Sequence, residues 1–128
     1  MDSARVASNP FFAGLPEGEL EVVADSASEV AFSEGQALTT QGDLGHCLYL
    51  IEDGTAAVSS QGETIRTIGR GDIVGEVAVL ASGLRTASVV ATTPVRAMAW
   101  IKRDVWALDD KAPEAARRLR SALDGHRA

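Results

Sequence analysis

Cysteine is almost absent from this chain. Cys47 stands alone, so no internal disulfide can form and the class of small extracellular domains stapled by disulfides is excluded. Long apolar runs are missing too: nothing approaches the roughly 20 residues of a membrane span, and residues 1–9 lack the apolar stretch of a secretory leader. A cytoplasmic, reducing compartment is the expectation. Basic side chains are scarce in the first half. Residues 1–63 hold one, Arg5, against eleven acidic ones, or −10, whereas residues 64–128 hold eleven basic and seven acidic, or +4. Any anion site is therefore expected in the second half. The total of −6 speaks against a protein that grips nucleic-acid backbones. Lysine is rare beside arginine, two against ten, a bias typical of GC-rich bacterial coding. The sequence also lacks a nucleophile with a base partner, paired catalytic carboxylates and a zinc ligand set, so no enzyme active site is expected within it. His46 and Cys47 are adjacent and point to opposite faces of an extended segment, which with His126 makes no metal site.

What remains is 128 residues with 45% apolar and 23% charged side chains, enough for a single domain over 1–128 with its own core. A helix is predicted over about 16–27, where Pro16 suits a first turn and Leu20, Val23, Ala24 and Ala27 follow helical spacing. Pro10, Phe11 and Phe12 form an apolar anchor ahead of it. From about 29 to 101, frequent turn glycines separate short stretches rich in Val, Ile, Leu and Thr. Candidate strands are Leu48–Ile51, Ala56–Ser59, Thr64–Ile68, Thr86–Thr92 and Val95–Ile101, the second and third joined as a hairpin around Gln61, Gly62 and Glu63. In the last strand Val95, Ala97, Ala99 and Ile101 alternate with Arg96 and Met98, which predicts one buried face. About eight antiparallel strands imply a jelly roll. Two helices are expected over about 103–124: a short one at Asp104–Leu108, and one from Pro113 whose strip is Ala112, Ala115, Ala116, Leu119, Ala122 and Leu123, with Gly125 as a stop. That alanine-rich strip predicts a weak grip on the roll. Trp100 and Trp106 are assigned to packing the helix on the roll, with base stacking as the alternative. Arg117, Arg118 and Arg120 read as a solvated face.

The segment 75–87 differs from its surroundings. Glu76–Ala81 can form a short helical turn whose N-terminal amides would face an anion. Gly75 allows close backbone approach, Arg85 offers a planar fork to a phosphate, and Glu76 can accept hydrogen bonds from a sugar hydroxyl. A phosphorylated sugar fits these groups.

These residues resemble the phosphate-binding cassette of the cyclic nucleotide-binding domains found in bacterial catabolite-activator-type regulators, protein kinase regulatory subunits and nucleotide-gated channels. Gly75, Glu76, Ala78, Leu80, Arg85, Thr86 and Ala87 fill the pattern G-E-x-A-L, a loop, then R-[STA]-A. Gly42, Asp43, Gly45, Leu48, Tyr49, Leu50, Ile51 and Gly54 fill a second family signature, and the resemblance covers about residues 9–125. It implies a mainly β fold, an eight-stranded antiparallel jelly roll (a double-stranded β-helix) with one N-terminal and two C-terminal helices. It also implies that Glu76 takes the ribose 2′-hydroxyl, Arg85 the cyclic phosphate and the amides of Ala78 and Thr86 further phosphate contacts. Gly75 would shape the approach, with Val77 and Ala87 completing the site. Thr86 stands where it could touch a syn base. Val77 and Val79 replace larger residues of the family, and Leu84 stands where several relatives have proline. The implied ligand is cAMP, with cGMP second, and no other cofactor. The implied output runs through the C-terminal helices to a partner or fused effector, and a homodimer stays open. A ligand-free interaction domain with the same roll, or the regulatory fragment of a larger enzyme, are the rival readings.

Overall fold

The computed structural model describes the chain except residues 76–78, 81, 82 and 128, with the backbone alone at 124–127. Among the described residues, eight strands form two four-stranded antiparallel sheets. β1 (Ser28–Phe32), β8 (Val95–Ile101), β3 (Cys47–Asp53) and β6 (Ile73–Val74) make one in the order β1-β8-β3-β6. β2 (Ala37–Thr39), β7 (Ser88–Ala91), β4 (Ala56–Ser60) and β5 (Glu63–Ile68) make the other in the order β2-β7-β4-β5. This is the jelly roll that the strand count implies. Gln61 (φ 52°) and Gly62 (φ 82°) close the β4–β5 hairpin in the left-handed region, as a two-residue hairpin turn requires.

One apolar layer fills the space between the sheets: Leu38, Ile51, Val58, Ile68, Val74, Val89 and Val95 belong to it. A second lies outside the first sheet, where Leu48, Leu50, Met98 and Trp100 meet the helices. β8 is therefore buried on both faces. The expectation of one buried face fails there because Met98 and Trp100, 0% and 2% exposed, are covered by helices that period-two alternation cannot see. Ile101, expected inside, is exposed.

The helical layer holds α1 (Ser3–Ser8), α2 (Glu17–Ser26), α3 (Lys102–Lys111) and α4 (Pro113–Arg127). Only six residues long, α1 carries no periodic signal. It buries Val6 completely, and its Arg5 reaches Glu52 at 2.6 Å and Glu29 at 3.2 Å. The first C-terminal helix is longer than Asp104–Leu108 at both ends. α4 runs through Gly125 to Arg127; glycine lowers helix stability without forbidding it, so Gly125 is no stop. The strand foreseen over Thr86–Thr92 shrinks to Ser88–Ala91, because residues 83–86 are drawn into the loop contacts described below.

The alanine strip of α4 packs against helices as well as the roll. Ala112, Ala115 and Leu119 are buried in one cluster with Leu20 and Val23 of α2 and Val105 and Leu108 of α3. Glu19 of α2 caps α4, its Oε1 accepting from the amides of Glu114 at 2.9 Å and Ala115 at 3.0 Å. Arg118 donates to the carbonyls of Phe11 and Ala13, Arg117 pairs with Glu114, and Arg120 pairs with Asp109. Arg117 and Arg120 are exposed, as a solvated face requires, while each pairs with a neighbouring carboxylate; Arg118 is half-buried. Trp100 packs as expected, edge-on to Phe12, with its indole N–H on the Val23 carbonyl at 2.9 Å.

Candidate functional site

Arg85 is placed by backbone. Gly42 N–H donates to the Arg85 carbonyl at 3.0 Å, Arg85 N–H to the Asp43 carbonyl at 2.8 Å, and Gly45 N–H to the Gly83 carbonyl at 3.0 Å, with a β-bridge between Leu44 and Leu84. Two motifs that are forty residues apart in sequence thus become one floor. Leu44 and Leu84 point to solvent from it, while the Arg85 side chain turns inward and is 7% exposed.

Carbonyl dipoles and a ring surround the guanidinium. Nη2 donates to the Cys47 carbonyl at 2.8 Å, Nη1 reaches the Gly75 carbonyl at 3.4 Å, and the Tyr49 ring centroid lies 6.0 Å from Cζ. Tyr49 is itself braced edge-on by Phe32 at 5.6 Å. Among the described residues, no carboxylate pairs with Arg85. Burial consequently pushes the guanidinium pKa down, offset in part by Tyr49 and Cys47, and pushes the Tyr49 phenol up. A cation removed from water and, among the described residues, faced by carbonyl dipoles and a ring favours an anion beside it.

Gly75 fits against this cation because it has no side chain. At φ 92° it occupies the left-handed region, and a Cβ there would collide with Nη1 of Arg85 and crowd the Cys47 carbonyl at 3.1 Å. Thr86, next to Arg85, is exposed, and Ala87 is half-buried with its carbonyl accepting from Thr39 Oγ1 at 3.1 Å. Of the residues singled out in the sequence, the structure brings Gly75, Arg85, Thr86 and Ala87 together. Glu76, Val77 and Ala78 lie outside the described residues, as does most of the short helical turn foreseen at Glu76–Ala81.

Beyond them, Val79 is buried and its N–H donates to the Gly75 carbonyl at 3.1 Å. Its own carbonyl accepts from the indole N–H of Trp106 at 3.1 Å. Trp106 therefore lies half-exposed beside Val79 and outside the core, with Lys102 Nζ 4.9 Å from its ring centroid. Sequence reasoning took Cys47 for a core residue, yet it is half-buried and contributes its carbonyl. A main-chain acceptor leaves no trace in residue type.

Comparison with known proteins identifies the family. The family model described as "Cyclic nucleotide-binding domain" matches residues 29–111. This chain belongs to the cyclic nucleotide-binding domain family. The match spans β1 through α3 and so includes the Arg85 floor. The chain is 30% identical over 120 residues to the cyclic AMP receptor protein of Thermus thermophilus, covering 90% of this chain and 56% of that protein. It is 34% identical over 89 residues to a cGMP-dependent protein kinase of Eimeria tenella, covering 70% of this chain and 9% of the kinase. Among solved structures, the Thermus thermophilus catabolite activator protein superposes with a TM-score of 0.80 at 30% identity, over 91% of this chain and 57% of that one. The chain thus spans about half the length of the first of these relatives and a small part of the kinase. As a cyclic nucleotide-binding domain it is a regulatory module. No described helix is long and apolar enough to cross a membrane.

Proposed function

We propose that the chain senses cAMP and passes its binding through α3 and α4 to a partner or fused effector. The observation that carries this reading is Arg85, a buried guanidinium without a carboxylate partner among the described residues. A cyclic phosphate seated against its fork makes a charge-assisted, two-point contact. In the same reading Glu76 takes the ribose 2′-hydroxyl and the amides of Ala78 and Thr86 add phosphate contacts. Gly75 lets the ligand and Arg85 share a narrow space, and Val77 and Ala87 complete the wall. The module performs no chemistry of its own. It works as a switch because a ligand can favour one arrangement of helices over another only by binding it more tightly.

Calorimetric titration of the folded chain with cAMP is the test. Saturable binding at micromolar dissociation constant or tighter is expected; absence of heat at millimolar cAMP overturns the proposal. The exposed position of Thr86 beside Arg85 supports cGMP as a second reading, in which its hydroxyl meets the amino group of a syn guanine. Competition between the two nucleotides decides, a cGMP preference above about tenfold, ~1.4 kcal/mol, reversing the choice.

A further inference from the structure

The outer faces of α2 and α3 enclose a groove of about 300 Å³ that neither the roll nor the Arg85 site uses. Val22, Asp25 and Ser26 line it from the last two turns of α2, and Asp104, Ala107, Leu108 and Lys111 line it from α3. Spacings of i, i+3, i+4 and i+7 put each set on one stripe of its helix. The floor is apolar and low. Val22 and Ala107 are half-buried and Leu108 is buried. Ser26 turns its hydroxyl back on the Val22 and Val23 carbonyls at 3.4 Å, so it makes no polar demand on the groove. Side chains as short as Ala107 and Ser26 let another helix approach to the usual packing distance of about 8–10 Å.

Charge is ordered along the groove. Glu19, in the first turn of α2, caps α4 just after α3 ends, so α2 and α3 run antiparallel and Asp104 stands beside the C-terminal end of α2. Asp25 lies at that end too, and α2 has no basic residue in its last turn. Two carboxylates and the negative end of a helix dipole therefore gather there. Lys111 marks the opposite end, two turns and about 10 Å along α3. Among the described residues, neither Asp25 nor Lys111 is in an ion pair, and Asp104 pairs with its neighbour Arg103 at 3.7 Å. The nearby Arg117 and Arg120 of α4, by contrast, are paired within their own helical layer.

We infer that this groove docks an amphipathic helix of the effector, one that carries a basic and an acidic residue two turns apart with small apolar residues between them. The basic residue meets Asp25 and Asp104, the acidic one meets Lys111, and the apolar residues cover Val22, Ala107 and Leu108. A helix laid in the groove has the same two-turn repeat as α3, so both charged contacts form together. A helix basic at both ends sets a like charge on Lys111, and one acidic at both ends meets two carboxylates, so the order of charge selects the partner. This rests on the proposed function only for the existence of an effector, and it adds the surface that the effector grips.

Two acetylated and amidated helical peptides of about 18 residues serve as probes on the full chain without nucleotide. Both carry leucine and alanine along one stripe in an alanine and glutamine background. One has arginine and glutamate two turns apart at the ends of that stripe, and the other has arginine at both ends. In amide NMR the Arg/Glu peptide is expected to give saturable shifts confined to residues 22–26 and 104–111. It should bind about three- to fivefold tighter than the Arg/Arg peptide, the worth of one exposed ion pair. Lys111→Glu should reverse that preference. Asp25→Lys should weaken the Arg/Glu peptide by a similar factor, whereas Asp110→Lys, the same change of charge off the stripe of α3, should leave it unchanged.

Absence of amide shifts at millimolar Arg/Glu peptide overturns the inference, as does a preference that Lys111→Glu leaves intact, which would reduce the contact to apolar adhesion. If Lys111→Glu fails to fold, Asp25→Lys against Asp110→Lys decides. Shifts over the same residues on dilution of the free chain make the groove an interface between two copies, and the effector assignment falls. A chain that binds the Arg/Glu peptide in its groove but no cAMP loses the nucleotide reading and keeps the groove. One that binds cAMP and ignores the peptide loses only the groove.

Discussion

Arg85 concentrates the chemistry of the chain in one side chain. Arg85→Ala removes the buried cation and its bidentate contact, and is expected to weaken cAMP binding by about 2–5 kcal/mol in calorimetry while leaving the roll folded. Arg85→Lys should recover little, because a point charge cannot span two phosphate oxygens. Gly75→Ala tests the neighbouring requirement. Its Cβ would collide with Nη1 of Arg85 in a backbone conformation that alanine resists, so loss of affinity is expected together with a modest fall in the melting temperature. Arg5 is the contrasting case, a cation far from the site that serves stability. Its partner Glu52 is 8% exposed, and Arg5→Ala leaves that carboxylate poorly solvated, at a cost of about 1–3 kcal/mol in denaturant unfolding. Hydrogen bonding to the same arginine holds the Glu29 carboxyl below its ordinary range. Its contribution is therefore full above the unfolded carboxylate pKa and fades as pH falls through the depressed folded value. Wild type should lose part of its advantage over Arg5→Ala in acid. An equal difference in stability at neutral and acid pH would contradict the pairing.

At the scale of the element, α4 is the helix on which the proposed switch depends. Its strip is mostly alanine, so burial contributes little per residue, and small side chains let it lie close to α2 and α3. The hold is supplemented by polar ties that the strip does not reveal: the Glu19 cap on Glu114 and Ala115, and Arg118 on the Phe11 and Ala13 carbonyls. Glu19→Ala is expected to cost about 1 kcal/mol, as for loss of a helix cap, and to speed amide exchange in the first turns of α4 before any other element. Uniform acceleration across the molecule would show that Glu19 supports the fold at large. The apolar face of α4 was legible in its 3.6-residue spacing. Its cap was not, because the capping side chain comes from a helix about ninety residues earlier. β8 shows the same limit: the alternation of its small residues marked the roll interior correctly, whereas Met98 and Trp100 acquire their cover from helices remote in sequence.

For the whole molecule, two apolar layers share one sheet. The roll interior lies on one face of β3 and β8 and the helical layer on the other, so the helices are fastened to the sheet whose β3 also bears Tyr49 and the Cys47 carbonyl beneath Arg85. A ligand that binds only the native state at about 100 times its dissociation constant adds ~2.7 kcal/mol. Wild type should therefore melt higher with cAMP, and Arg85→Ala should not. Local order along the chain was written in residue type: strands from β-branched stretches between glycines, the Gln61–Gly62 turn, helices from spacing and proline, and a cassette pattern holding Gly75 and Arg85. These follow from backbone sterics and from period, which act between near neighbours. The packing of the 42–45 loop on residues 83–85, the burial of Arg85 among carbonyls, the capping of α4 by Glu19 and the attachment of Trp106 to Val79 were decided only by the tertiary structure. Each depends on main-chain groups that every residue possesses, and a sequence does not say which of them will meet until the chain has folded.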